Sequence, residues 1–243
     1  MKRIFRIIVF STQLAAVFAW GGDRIVSQHA GGCTIVLKVE DLHFAPVAAD
    51  GRSYTQAVFS GSVPFGRPGD PEVPSGLLLI ALPPGHDGRV AVQRTNRMTR
   101  EQTVLLPVDS AGYSEDLSGY LYREGPVYRG DQSWPEQAFR IEETGYMGGQ
   151  RIMRVRVFPA VYHPAFKKVD VYRECTIRVD FVPSAEPERG TVQQARDPLA
   201  EQAVINTAQA RQWRRSEQPG RGFKSLAPLS GQWHRIKVTE EGL

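Results

Sequence analysis

The chain has 243 residues, with 30 Lys+Arg against 26 Asp+Glu and 41% aliphatic and aromatic residues. That composition is too apolar for a disordered tail and too charged for a membrane bundle. The formal charge of +4 lacks the clustered basic face of a nucleic-acid binder, and 23 Gly with 17 Pro favour short strands and turns over long helices.

Lys2, Arg3 and Arg6 precede the apolar stretch Ile7 to Ala19, which only Ser11, Thr12 and Gln13 interrupt. Val17-Phe18-Ala19 follows as a cleavage-site pattern. Residues 1–19 therefore read as a secretory signal peptide. A run of about 13 apolar residues is too short for a bilayer, which needs about 20. The exported chain is expected to begin near Trp20, with no membrane segment in its mature form. Three of the four excess positive charges leave with the signal.

Candidate strands follow at 34–40, 54–60, 76–82, 89–95, 102–107, 138–143, 151–158 and 168–181. Each is bounded by turn signals such as Asp50-Gly51, Pro83-Pro84-Gly85 or Asp87-Gly88. Met153, Val155 and Val157 alternate with Arg154 and Arg156. From Cys175 onward, odd positions are apolar and even ones polar. One-sided alternation predicts an all-β fold, an antiparallel β-sandwich of jelly-roll type over residues 20–190. No βαβ rhythm is present. Cys33 shares a strand face with Ile35, Leu37 and Val39, and Cys175 lies on the buried face of its own strand. Export permits a disulfide between Cys33 and Cys175. Two buried free thiols are the other reading, and the sequence leaves both open.

The character changes after Pro183. A charged linker, 184–190, leads to Asp197-Pro198, a helix cap with Pro at the first helical position. Residues 191–215 are assigned to one C-terminal helix, with Leu199, Ala203, Ala210 and Trp213 on a narrow apolar stripe. A loose linker spans 216–232. Residues 233–243 then read as the first strand of a following, truncated domain.

The chemistry-bearing residues form no recognisable constellation. The five histidines have no zinc spacing, two cysteines make no structural metal site, and there is no nucleophile elbow or phosphate loop. Catalytic residues, metal ligands and cofactor are all assigned as none. Glu115-Asp116 and Glu142-Glu143 are adjacent pairs that should face opposite sides of a strand. Tyr113, Tyr120, Tyr122, Tyr128 and Trp134 cluster in a loop-rich stretch. They read either as plugs holding a long loop or as a platform for glycan or peptide.

The ordered landmarks resemble gingipain-type cysteine peptidase propeptides. Gly69-Asp70-Pro71-Glu72-Val73-Pro74 is similar to that family's Gly-x-Pro-x-Leu-Pro signature. Arg151 to Pro164 resembles the propeptide strand ending in Pro-x-x-Tyr-Asn-Pro, with His163 in place of the Asn. Val169 to Phe181 resembles the strand that follows, and Trp233 to Leu243 the start of the region after the propeptide. The resemblance implies a prodomain that acts as intramolecular chaperone and latency inhibitor. It implies a cysteine peptidase catalytic domain as partner, in cis if the gene continues and otherwise in trans. It also implies passage through a periplasm to the cell surface or medium. The family's catalytic Cys and His lie downstream, so neither Cys33 nor Cys175 inherits that role. The inhibitory loop of the family maps near Asp109 to Gly119, which has no Lys or Arg. Tyr113 and Ser114 in that loop, or Arg123 and Arg129 beyond it, are the candidate inhibitory residues. Processing is expected at Arg214, Arg215 or Arg221. The alternative is a free-standing exported sandwich that binds glycan or peptide at the cell surface.

Overall fold

The computed structural model describes residues 24–109, 122–147, 150–185 and 203–213. The strands are β1 (Arg24–His29), β2 (Gly32–Lys38), β3 (His43–Ala49), β4 (Arg52–Val58), β5 (Val63–Phe65) and β6 (Val73–Ala81). They continue with β7 (His86–Arg100), β8 (Phe139–Met147), β9 (Gln150–Val157), β10 (Ala160–His163) and β11 (Lys168–Pro183); helix α1 is Thr207–Gln212. All strand ladders are antiparallel. One sheet runs β1-β2-β11-β10 with β7 on the other side of β11, and the second runs β5-β6-β9-β8. The pair β3-β4 forms a separate ribbon. The fold is the β-sandwich that the alternation predicts.

The core lies between the two sheets. Cys33, Ile35, Leu37, Cys175, Ile177 and Val179 from one sheet meet Leu78, Ile80, Met153, Val155 and Val157 from the other, all essentially inaccessible. At period two these strands can supply such a face only by turning their polar residues outward. On β9 those are Arg154 and Arg156, both ion-paired to Glu142 on β8. Glu143 also reaches Arg154, at 3.3 Å. The adjacent glutamates were expected on opposite faces. A register shift between Ile141 and Glu143 lets both converge on one guanidinium.

The turn signals have mixed outcomes. Asp50 and Gly51 both have positive φ, 49° and 71°, and close the tight β3-β4 hairpin as its twist requires. Asp87-Gly88 is not a turn. It lies inside β7 opposite Val182 and Phe181, and the missing Cβ of Gly88 leaves room for the Met153 thioether.

Two further expectations need correction. Residues 102–107 form no strand; Leu105 and Pro107 make isolated bridges to Thr55 and Pro71. Two facing prolines lack the N–H groups that would extend such a ladder. The single helix assigned to 191–215 is interrupted within the described residues: Ala203 and Thr207–Gln212 are helical, and 204–206 between them act as a strap. Ile205 N–H donates to the Leu79 carbonyl at 2.9 Å. The Asn206 amide pairs with both backbone groups of Ala81, at 2.7 and 2.9 Å. Val204 and Ala210 cover Leu79 and Ala81 on the outer face of β6.

The cysteines are free and buried. Cys33 lies opposite Val179 and Cys175 opposite Leu37. Four residues of register separate them, about 13 Å at strand rise, where a disulfide needs Cα atoms within about 7 Å. The permitted disulfide therefore does not form. Residues 1–19, Tyr113, Ser114, Tyr120, Leu199, Arg214, Arg215, Arg221 and the expected strand after 232 lie outside the described residues.

Candidate functional site at the base of the 109–122 loop

A densely hydrogen-bonded region surrounds the segments that flank residues 110–121, the outgoing and returning stalks. The outgoing stalk is 104–108. Thr55 N–H donates to the Val104 carbonyl at 2.8 Å, and Leu106 N–H to the Thr55 carbonyl at 3.0 Å. Its other side is held by the Gly69–Glu72 segment. Gly69 N–H donates to Val108 at 3.0 Å, Val108 N–H to Asp70 at 2.8 Å, and Glu72 N–H to Leu106 at 2.8 Å.

The returning stalk is tied to the same glycine. Gly125 N–H donates to the Gly69 carbonyl at 2.7 Å. Gly69 sits at φ +86°, a left-handed conformation that disfavours any side chain. A Cβ on Gly125 would lie 2.9 Å from the Gly69 oxygen. The two backbones cross where neither can carry a side chain. Next to this crossing the Glu124 carboxylate accepts from Tyr54 Oη at 3.1 Å and pairs with Arg52 at 3.0 Å. The β3-β4 ribbon thus braces the returning stalk.

Beyond it the chain makes a 3-10 turn, Pro126–Arg129. Tyr128 Oη donates to the Leu105 carbonyl at 2.7 Å, and its ring packs 6.0 Å from that of Tyr162. Trp134 Nε1 donates to the Pro71 carbonyl at 3.0 Å. Its backbone exchanges hydrogen bonds with Tyr162, at 2.8 and 2.7 Å. Burial pushes the Tyr162 hydroxyl up to about 12 and raises that of Tyr128 still further. Tyr128 and Trp134 are therefore plugs; their polar atoms are occupied inside the fold.

Ser133 and His163 share a hydrogen bond at 2.8 Å, Oγ to Nδ1, and His163 Nε2 lies 3.0 Å from Asp170. Thr99 Oγ1 donates to the other Asp170 oxygen at 2.6 Å, and Arg97 stands 3.9 Å away. Burial works to raise the Asp170 carboxyl. Hydrogen bonds from Thr99 and His163, with the charges of His163 and Arg97, hold it below the usual carboxylate range. A Ser-His-Asp row invites comparison with a hydrolase triad. Here, however, the aspartate holds Nε2 and the serine Nδ1, the reverse of the triad arrangement. The row ties β10, β11 and β7 to the 130–135 segment.

Both motifs singled out in the sequence meet here. Gly69-Asp70-Pro71-Glu72 clamps both stalks, and Pro159 to Pro164 supplies the Tyr162 and His163 anchors. Arg123 and Arg129 are exposed on the returning side, Arg129 at the end of the 3-10 turn. Glu124, Tyr54, Ser133 and Asp170 carried no sequence signal. They come from distant segments and acquire roles only through pairing. Elsewhere the two thiols are sealed in the core. Burial pushes Cys33 up to about 11 and Cys175 to about 12, the wrong direction for a nucleophile at neutral pH.

The described residues thus form a β-sandwich in which the segments on either side of 110–121 are tied together at Gly69 and both thiols are buried in the core. The comparisons give its family. The model described as Propeptide_C25, the gingipain propeptide family, matches residues 22–211, so the chain belongs to that family. The structure is similar to one titled "Complex of Porphyromonas gingivalis RgpB pro- and mature domains". The TM-score is 0.66 at 18% identity, over 78% of this chain and 98% of that one. It is also similar to a structure on the zymogenic latency of gingipain K from Porphyromonas gingivalis. That TM-score is 0.58 at 21% identity, over 67% of this chain and 93% of that one. Among curated proteins, none matches the chain.

Proposed function

We propose that this chain is the prodomain of an exported gingipain-type cysteine endopeptidase, assisting its folding and holding it latent, and that the clamped Asp109–Tyr122 loop is the inhibitory element. The observation that carries the reading is the double clamp on Gly69. An inhibitor gains affinity by fixing its reactive segment before binding, which lowers the entropy lost on association. Stalks fixed on both sides of residues 110–121 are what that requires. The plugged positions of Tyr128 and Trp134 argue against the alternative of a glycan-binding aromatic platform. Export through the 1–19 signal and release by cleavage at Arg214, Arg215 or Arg221 complete the proposal. A cut there would leave the Val204–Trp213 strap with the sandwich. Mass spectrometry of the processed peptidase checks the cut; an intact 216–230 segment in the active enzyme overturns it.

Titration of the full chain against the mature gingipain-type peptidase of the same genome tests the inhibitory role. Stoichiometric loss of peptide hydrolysis is expected, with recovery when the chain is degraded. Unchanged hydrolysis at saturating chain overturns the role.

A further inference from the structure

Among the described residues Phe166 is 69% exposed, well above the next large apolar residues, Tyr146 at 44% and Ile141 at 41%. It sits on the 3-10 turn Pro164–Phe166, which packs against the Pro126–Arg129 turn at the base of the clamped loop. The turn is fixed from every side. Pro164 is buried at its first position, and His163 before it is held by Ser133 and Asp170. Lys167 after it takes a left-handed conformation, φ 46°, unusual for a side chain of that size. Its carbonyl accepts from Thr103 N–H at 2.6 Å, and its own N–H donates to Pro164 at 3.1 Å. The Lys168 ammonium stands 5.4 Å from the Phe166 ring centroid.

From this geometry we infer that Phe166 is a preformed anchor that seats in an apolar pocket, rimmed by carboxylates, on the peptidase domain. The inference rests on the prodomain reading above. An exposed aromatic held rigid at the edge of a binding element loses little freedom on docking, and such residues dominate interface energetics. The rim follows from charge. Lys167 and Lys168 follow the turn directly and Arg129 ends the turn packed against it, with Glu101 and Asp131 on adjoining segments; the Arg100 guanidinium lies instead over the Phe44 ring. A net cationic collar selects an acidic surface and speeds its encounter.

The test compares the full chain with Phe166→Ala, Ile141→Ala and Arg129→Glu, each bound to the mature gingipain-type peptidase of the same genome. Phe166→Ala should keep the wild-type unfolding midpoint and weaken binding about 30-fold or more, the fold-change of a truncated anchor. Ile141→Ala should stay within about twofold, as a peripheral contact does. Arg129→Glu should slow association, and the difference should shrink as salt rises. If the wild-type chain does not bind, the prodomain reading itself fails, and the anchor with it. If wild type binds and Phe166→Ala matches it, only the anchor is overturned. A Phe166→Ala chain with altered self-association and unchanged peptidase affinity would make the turn a contact between copies, which also overturns the inference.

Discussion

Single atoms decide the site at Gly69 and Gly125. Gly125 has an ordinary φ of −83°, so its requirement for glycine comes from contact alone. Gly125→Ala should cost about 1–3 kcal/mol, as overpacking does, and should also weaken peptidase inhibition because the stalk must move. Gly51 is the control. It has φ +71° but open space around it, so Gly51→Ala carries only the left-handed strain of about 1–2 kcal/mol. Urea denaturation should find both variants destabilised, while inhibition titrations find only Gly125→Ala impaired. The core thiols give a second prediction. Cys33 and Cys175 rise from 9.0 to about 11 and about 12, and Tyr162 from 10.0 to about 12, all through burial. Unfolded, these groups lose protons from about pH 9; folded, they retain them to about 11–12. The unfolded chain thus binds fewer protons in that window, and stability falls as pH rises through it. Urea midpoints at pH 8, 9.5 and 10.5 should decline, and more shallowly in a Cys33→Ala/Cys175→Ala chain.

At the scale of elements, alternation was readable wherever one strand face is buried and the other wet. β9 from Ile152 and β11 from Cys175 satisfy that condition, and their expected inward residues are the core; at Gln150-Arg151 and Val169-Asp170-Val171 both faces are buried and the alternation lapses. The signal fails where strands lack a one-sided environment. β3 carries Pro46 and, among the described residues, pairs with β4 alone, and β10 has four residues, three of them buried. Neither had a pattern to read. The 102–107 run looked like a strand because its side chains are buried, yet its backbone bonds are divided between Thr55 and the Gly69 segment. β7 raises a different matter. It pairs with β11 along one edge, and its other edge has no strand partner among the described residues. Exposed Arg89, Arg97 and Arg100 punctuate that edge, a charge pattern that opposes edge-to-edge pairing between copies. An Arg89→Val/Gln93→Val chain should therefore self-associate at concentrations where wild type does not. Sedimentation velocity checks this, and equal sedimentation of the two chains would remove the guarding role.

Over the whole molecule, the family motifs were legible as spacings, and their physical meaning was not. Gly69 and Gly125 stand 56 positions apart, Tyr54 and Glu124 70 apart, and no local pattern announces such pairs. The C-terminal strap shows the same limit. Its composition predicts one amphipathic helix over 191–215, but the described part is interrupted at 204–206, and the polar Asn206 and Gln209 are buried and make its decisive contacts. Asn206 binds β6 of one sheet. Gln209 Nε2 donates to His29 and Gly32 in the β1-β2 hairpin of the other, at 2.8 and 3.1 Å. Trp213 packs edge-on to Phe181, 5.4 Å between centroids. One short segment therefore holds both sheets together. Asn206→Ala would leave the Ala81 N–H and carbonyl unpaired under apolar cover. At about 1–3 kcal/mol for each buried group, the loss should exceed about 2 kcal/mol. A chain ending at 213 should match the full chain in urea midpoint. One ending at 202 should unfold earlier and bind a hydrophobic dye through the uncovered Leu79, Ala81 and Ile152. Equal midpoints for those two truncations would mean that the sheets hold each other without the strap. In that case, proteolytic release upstream of Val204 would leave the sandwich as stable as release at Arg214 or Arg215.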